Sequence, residues 1–266
     1  MTAGIDPVEN SAQLCAAVKD AALGGAQILF TPEMSGLLDS NRDRARPYVV
    51  SEEANPVLTV VREAAKAAGI WVHLGSLAVD AGWRWANRGF LIDNCGEVRA
   101  RYDKLHLFDV DLPTGESWRE SNAYVPGDIS VVADTPVGPL GLSICYDIRF
   151  PALFQALSQA GARVLSVPAA FTVPTGEAHW HTLLRARAIE NACWVVAAAQ
   201  YGAHEDGRKT YGHSLVIDPW GTIVLDMKEQ SGLAFADIDL DLVDDVRGRV
   251  PVIKHRRPIP AVEIVR

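Results

Sequence analysis

Three short stretches carry side chains whose types suit one another chemically. "FTPEMSG" presents Glu33, "RYDKLHLFD" presents Lys104, and "GLSICYDIRFP" presents Cys145. A thiol is a weak nucleophile until it loses its proton, so a catalytic cysteine needs a base or a cation beside it. A carboxylate serves as that base when its surroundings bring its pKa towards working pH. A lysine stabilises the oxyanion that forms when sulfur attacks a carbonyl or nitrile carbon. Glu, Lys and Cys together therefore suffice for acyl transfer without a histidine. Taken singly, each also has an ordinary structural reading: a loop carboxylate, a solvated lysine and a cysteine packed as a small hydrophobe.

The elements that must position these residues alternate in type. "DPVENSAQLCAAVKDAAL" reads as a helix, with Asp6 to cap it, Pro7 in its first turn and Gly24-Gly25 to end it. The buried strand "AQILFTPE" then runs out at Glu33. A second helix, about 54–68 and closed by Gly69, leads to the strand "IWVHLGSLAV". "RGFLIDNCGEVRARYDK" looks like two strands about an Asn-Cys-Gly-Glu turn, and "ISVVADTPVGPLGLSICYD" like a hairpin that ends at Cys145. Two further helix–strand units follow: about 151–160 with "ARVLSVPA", then about 178–191 with "CWVVAAAQ". The chain closes with the hairpin "GHSLVIDPWGTIVLDM" and the strand "LAFADIDL". This alternation predicts an α/β architecture. With no repeat and no linker composition, the expectation is one domain over 1–266.

Composition narrows the class. The 266 residues are 48% hydrophobic and 22% charged, and the formal charge is −8, which argues against a nucleic-acid or anionic-membrane surface. The longest apolar run, "ACWVVAAA", is far too short to span a bilayer, and "MTAGIDPVEN" lacks the pattern of a signal peptide. Four widely spaced cysteines with no CxxC pair predict free thiols and a cytoplasmic setting.

The sequence resembles the nitrilase, or carbon–nitrogen hydrolase, superfamily along almost its whole length. "LFTPEMSG", "YDKLHLFDVDLPTGESWRESNAYVPGD", "GLSICYDIRFP", "PAAFTVPTGEAHWHTLLRARAIEN", "YGHSLVIDPWGTIV" and the late "RPIP" carry the likeness. The resemblance implies a four-layer αββα sandwich and a catalytic triad of Glu33, Lys104 and Cys145. It also implies a second glutamate, for which Glu120 in "WRESNAY" is preferred over Glu116 in "TGES". The Tyr146 N–H would share the oxyanion with Lys104, and amides at the start of the following helix would favour the thiolate. The implied reaction is hydrolysis of an amide through a thioester, with release of ammonia and without metal or organic cofactor.

Within the superfamily the chain looks most like the Nit branch, nearest its deaminated-glutathione amidase type, whose members act on ω-amides of small dicarboxylic acids. True nitrilases usually have Trp-Glu after the nucleophile, where this chain has Tyr146-Asp147. The substrate would carry a carboxylate, for which Arg149 is the nearest cation, unless Arg149 instead braces the turn by pairing with Asp147 or Glu190. Phe171, Thr172 and His179 fall in the segment that shapes the pocket in relatives. His179-x-His181 resembles a metal pair, but no third ligand is in view, so no metal site is expected. The alternatives are an N-carbamoyl-amide hydrolase and a catalytically weak relative acting as an interaction module. Relatives commonly pair, so a homodimer or higher homo-oligomer is expected. Relatives also begin with a short apolar strand that this chain lacks. The expectation is an upstream start with codons for that strand and, in the chain as given, unpaired backbone groups and an open slot in the core.

Overall fold

The structure is a computed structural model that describes all residues except 112–114, 116 and 266. In chain order the elements are α1 (Pro7–Leu23), β1 (Ile28–Phe30), α2 (Arg42–Ala45), α3 (Pro56–Ala68), β2 (Trp71–Asp80), β3 (Trp85–Ile92) and β4 (Val98–Asp103). The short strands β5 (Asp109–Asp111), β6 (Ser117–Arg119), β7 (Tyr124–Val125), β8 (Val132–Ala133) and β9 (Leu140–Gly141) follow. Then come α4 (Pro151–Gln159), β10 (Val164–Ser166), α5 (Val173–Asn191), β11 (Trp194–Ala197), β12 (Tyr201–Ala203), β13 (Lys209–Tyr211), β14 (Leu215–Ile217), β15 (Ile223–Asp226) and α6 (Leu240–Arg249). None of the described helices is long and apolar enough to cross a membrane.

Local signals account for the helix ends. Asp6 accepts the Val8 N–H at the start of α1, and Asn55 does the same for Leu58 in α3. Gly69 stops α3 with φ 69°, a left-handed conformation that costs glycine little. The long helix begins five residues earlier than the sequence suggests, at Val173, because Pro174 suits a first turn.

Two sheets form the centre. In the first, the order is β1-β2-β3-β4 with β7 beside β3; in the second it is β15-β14-β11-β10-β9-β8. Alternation along each strand divides its side chains between two cores. Leu29, Phe90 and Ile92 pack under α1 and α3 with Leu14, Val18, Val61 and Ala65. Ile28 and Leu91 face the other way, into a core with Ile144, Leu165 and Val195 that also takes in Phe154 of α4 and Trp180 of α5. Helices thus cover both outer faces, and the layers run α, β, β, α, as the resemblance implied. Gly75 on β2 allows one close approach: a Cβ there would lie 2.1 Å from the Thr31 carbonyl oxygen. That contact lets the chain after β1 cross directly towards Glu33.

Among the described residues β1 pairs with β2 alone, and the backbone groups of Ile28 and Phe30 face away from it. Beside them lies a cavity of about 400 Å³ lined in part by Val137, Leu215, Leu225, Leu233 and Phe235. "LAFADIDL", expected as a strand, forms none; it runs along this cavity and among the described residues pairs with no strand. The first residues are tied instead to a distant segment. The Met1 carbonyl accepts the Tyr201 N–H at 3.0 Å, and the Ala3 N–H donates to Gln200 Oε1 at 3.0 Å.

Candidate active site

The four residues singled out in sequence come together where the two sheets meet. Lys104 follows β4 immediately, and its N–H is held by the Asn87 carbonyl at 2.9 Å. Its Nζ donates to Glu33 Oε1 at 3.0 Å and to Glu120 Oε2 at 2.9 Å. Glu33 also accepts the Asn87 side-chain amide at 2.9 Å and the Ala170 N–H at 3.0 Å, while its own carbonyl accepts Gln200 Nε2 at 3.0 Å. Glu120 accepts the Phe108 N–H at 2.7 Å and Asn87 Nδ2 at 3.1 Å. Glu116 lies outside the described residues.

Cys145 completes the group through a strained corner. Its φ is 48°, unusual for a residue with a Cβ, and its N–H is held by the Pro168 carbonyl at 2.8 Å. The strand expected to reach it stops at Gly141, and a 3-10 turn over Cys145–Arg149 precedes α4. In that turn the Asp147 N–H binds the Ile144 carbonyl, whereas among the described residues the Tyr146 N–H has no acceptor. It is one of the orphan amides that a helix start leaves available.

Electrostatics place the protons. Burial pushes the Glu33 carboxyl up, but the Lys104 charge and hydrogen bonds from Cys145, Lys104 and Asn87 bring it below its ordinary value. Burial works against the charge of Lys104, yet Glu120 and Glu33 raise it well above the usual lysine range. Burial and the Glu33 charge push the Cys145 thiol well above its ordinary value, outweighing Lys104. The resting pair is therefore thiol and carboxylate rather than thiolate and acid. The helix amides expected to favour a thiolate do not prevail against burial.

Asn87 and Asp147 are partners that the sequence reading did not supply. Asn87 bridges both glutamates from the middle of β3. Asp147 is fully buried and accepts from Tyr102 Oη at 2.7 Å, the His106 N–H at 3.0 Å and the Ile144 N–H at 2.9 Å. These bonds clamp the turn that carries Cys145. A polar residue at an inward position of an apolar strand, as in "WANRGFLI", was the available signal for Asn87.

A cavity of about 620 Å³ opens over the group, and Phe171 and Thr172 line it as expected. Arg149 does not line it. Asp147 and Glu190 are not its partners either: Asp147 is occupied as above, and Glu190 pairs with Arg187 at 2.7 Å. Arg149 instead lies over the Tyr146 and Phe171 rings and 3.3 Å from His179 Nδ1, with His179 also outside the lining. The cations in the wall are Arg42, Arg119, Arg208 and Lys209 besides Lys104. Among the described residues Arg42 and Lys209 have no carboxylate partner, whereas Arg119 pairs with Asp111 and Arg208 with Asp206. His181 turns away from His179 and meets His213 and Asp226 on another face.

The model of the carbon-nitrogen hydrolase family matches residues 5–248. A protein of Yersinia enterocolitica named deaminated glutathione amidase is 41% identical over 261 residues, covering 97% of this chain and 91% of its own. Among solved structures, the Caenorhabditis elegans NitFhit protein superposes with a TM-score of 0.88 at 42% identity, covering 97% of this chain and 63% of that one. An amidase from Nesterenkonia sp. AN1, solved as a mutant with acrylamide added at its active-site cysteine, has a TM-score of 0.79 at 28% identity; the match covers 94% of this chain and 95% of that one.

Proposed function

Because this chain belongs to the carbon–nitrogen hydrolase family and is an amidohydrolase, we propose that it cleaves a small ω-amide bearing carboxylates, of the deaminated-glutathione or α-keto-ω-amide class. The observation that carries this reading is the buried contact set of Lys104 with Glu33 and Glu120, in the wall of the same cavity that Cys145 lines. Name and position of the relatives support the substrate class, and so do Arg42 and Lys209 in the cavity wall, which offer cations to a carboxylate.

In the proposed mechanism the amide carbonyl carbon settles above Cys145 Sγ. Glu33 takes the thiol proton as sulfur attacks, so the negative charge moves from carboxylate to substrate oxygen without crossing water. Lys104 Nζ and the Tyr146 N–H receive that oxyanion. Glu33 then returns the proton to the leaving nitrogen, ammonia departs, and a thioester remains. Water activated by Glu33 attacks the thioester, Cys145 leaves with the returned proton, and the acid is released. Glu120 positions Lys104 and the incoming amide or water. The reactive proton thus shuttles on one carboxylate, which Asn87 and the Ala170 N–H hold in place.

We further propose one domain over residues 1–266, a cytoplasmic location and a homodimer; light scattering after size exclusion tests the last. The function is tested by ammonia release from a panel of ω-amides and N-carbamoyl amino acids, with Cys145→Ala beside the native chain. Release from an α-keto-ω-amide that vanishes in the variant supports the proposal. Release confined to carbamoyl substrates moves the chain to that branch. Folded protein that is silent throughout rejects the proposed substrate class and favours the interaction module.

A further inference from the structure

His181, His213 and Asp226 come from three elements: the middle of α5, the residue pair after β13, and the end of β15. One ligand atom from each lies within 4.8 Å of the other two. His181 Nε2 stands 3.4 Å from Asp226 Oδ2, and His213 Nδ1 stands 3.2 Å from the same oxygen. A tetrahedral ion bound at the usual zinc–nitrogen and zinc–oxygen lengths needs its ligand atoms about 3.3 Å apart. Two edges of such a site are already set.

The residues are held before any ion arrives. The His213 N–H donates to the Lys228 carbonyl at 2.9 Å, and the His213 carbonyl accepts Trp180 Nε1 at 2.8 Å. The Lys228 N–H in turn donates to Asp226 Oδ1 at 2.7 Å. Both His213 and Lys228 sit at positive φ, 52° and 53°, where a side chain is costly unless the surroundings demand it. The His213 ring stacks on Tyr211 at 4.5 Å. Among the described residues, His181 Nδ1 and His213 Nε2 make no hydrogen bond, so each ring can carry its proton there and turn the other nitrogen's lone pair inward. The side chains are 30%, 16% and 23% exposed, which leaves a coordination position open to water.

We propose that His181, His213 and Asp226 bind one divalent transition-metal ion of the zinc type, clasping α5 to the β14–β15 hairpin. Two imidazoles and a carboxylate suit zinc, cobalt or nickel rather than magnesium or calcium, which prefer oxygen ligands. The site stands apart from Cys145 and takes no part in the proposed hydrolysis. Its effect is on α5, whose first turn supplies Val173, Pro174 and Thr175 to the cavity wall.

Chelator-treated protein titrated with zinc chloride in a calorimeter, and with cobalt chloride by visible absorption, tests the site. One ion per chain is expected, with cobalt bands of tetrahedral intensity and a raised melting temperature. Loss of a ligand in His181→Gln, His213→Gln or Asp226→Asn weakens binding by roughly tenfold to a hundredfold or more. Circular dichroism shows whether each variant is folded, and three separate variants guard against the failure of one. Undiminished binding in His181→Gln/Asp226→Asn overturns the proposal. Binding that disappears in Cys145→Ala alone overturns it too, since the ion would then sit on the thiol.

Discussion

Two clusters of ionisable groups, Glu33–Lys104–Glu120–Cys145 and His181–His213–Asp226, differ in what surrounds them. In the first, Lys104 is 2% exposed and Glu33 5%, and neither glutamate carboxylate relies on water for its hydrogen bonds. In the second, every side chain keeps some contact with solvent. Water is a forgiving neighbour, because it solvates whichever charge state a group adopts. A dry site has no such freedom, and a missing partner there leaves a charge stranded. The first cluster therefore holds one protonation pattern, thiol and carboxylate, until substrate changes it. The second can exchange protons, water or an ion with little rearrangement.

Substitutions in the dry cluster break this contrast most severely. Cys145→Ala is expected to lower kcat for amide hydrolysis by at least about 10⁴-fold while binding persists, as a steady-state assay beside equilibrium dialysis would show. Lys104→Met leaves two carboxylates facing each other in the core, which costs about 3–5 kcal/mol in urea unfolding besides abolishing turnover. A variant that melts with the native chain would mean that the carboxylates are wetter than their burial indicates. His73 supplies a buried comparison without a charged partner: burial lowers its pKa from 6.5 to about 4. As pH falls below 6.5 the unfolded chain takes up a proton that the folded chain refuses, so stability declines until about pH 4. The total loss from this group is about 3 kcal/mol, and His73→Leu should flatten that part of the pH–stability curve. Asn87→Ala removes a shared donor from both glutamates; about 1–3 kcal/mol of stability and a larger part of kcat should go with it. The smallest effect is expected in the half-exposed cluster, where His181→Gln in metal-free buffer should change kcat less than about twofold.

The sequence made the proposed catalytic residues legible because each lies in its own local motif. Glu33 ends a strand, Lys104 follows one and Cys145 opens a turn, so short segments announce them. The alternation of helices and strands likewise carried the α/β class, whereas the order of layers came from the family resemblance. What escaped was tertiary. Asn87 matters because β3 passes between two glutamates that the chain places 87 residues apart, at 33 and 120. Arg42 and Lys209 reach the cavity from the first residues of α2 and β13, elements too short for any periodicity to announce. "LAFADIDL" has the composition of a strand but among the described residues pairs with none, and a strand is a property of two segments. His179 and His181, two apart on α5, face different ways. His181 found its partners 32 and 45 residues downstream, at 213 and 226.

The Gln200 side chain gives the site a schedule as well as a shape. It accepts from Ala3 and donates to the Glu33 carbonyl, a partner made 167 residues earlier. At roughly 5–20 residues per second a ribosome takes about ten to thirty seconds to travel that distance. During that interval Glu33, Lys104 and finally Cys145 are translated, but the residue that anchors the Glu33 backbone does not yet exist. Assembly of the proposed site thereby waits for the segment that carries Gln200, and a nascent chain released before it holds Glu33, Lys104 and Cys145 without the frame that orders them.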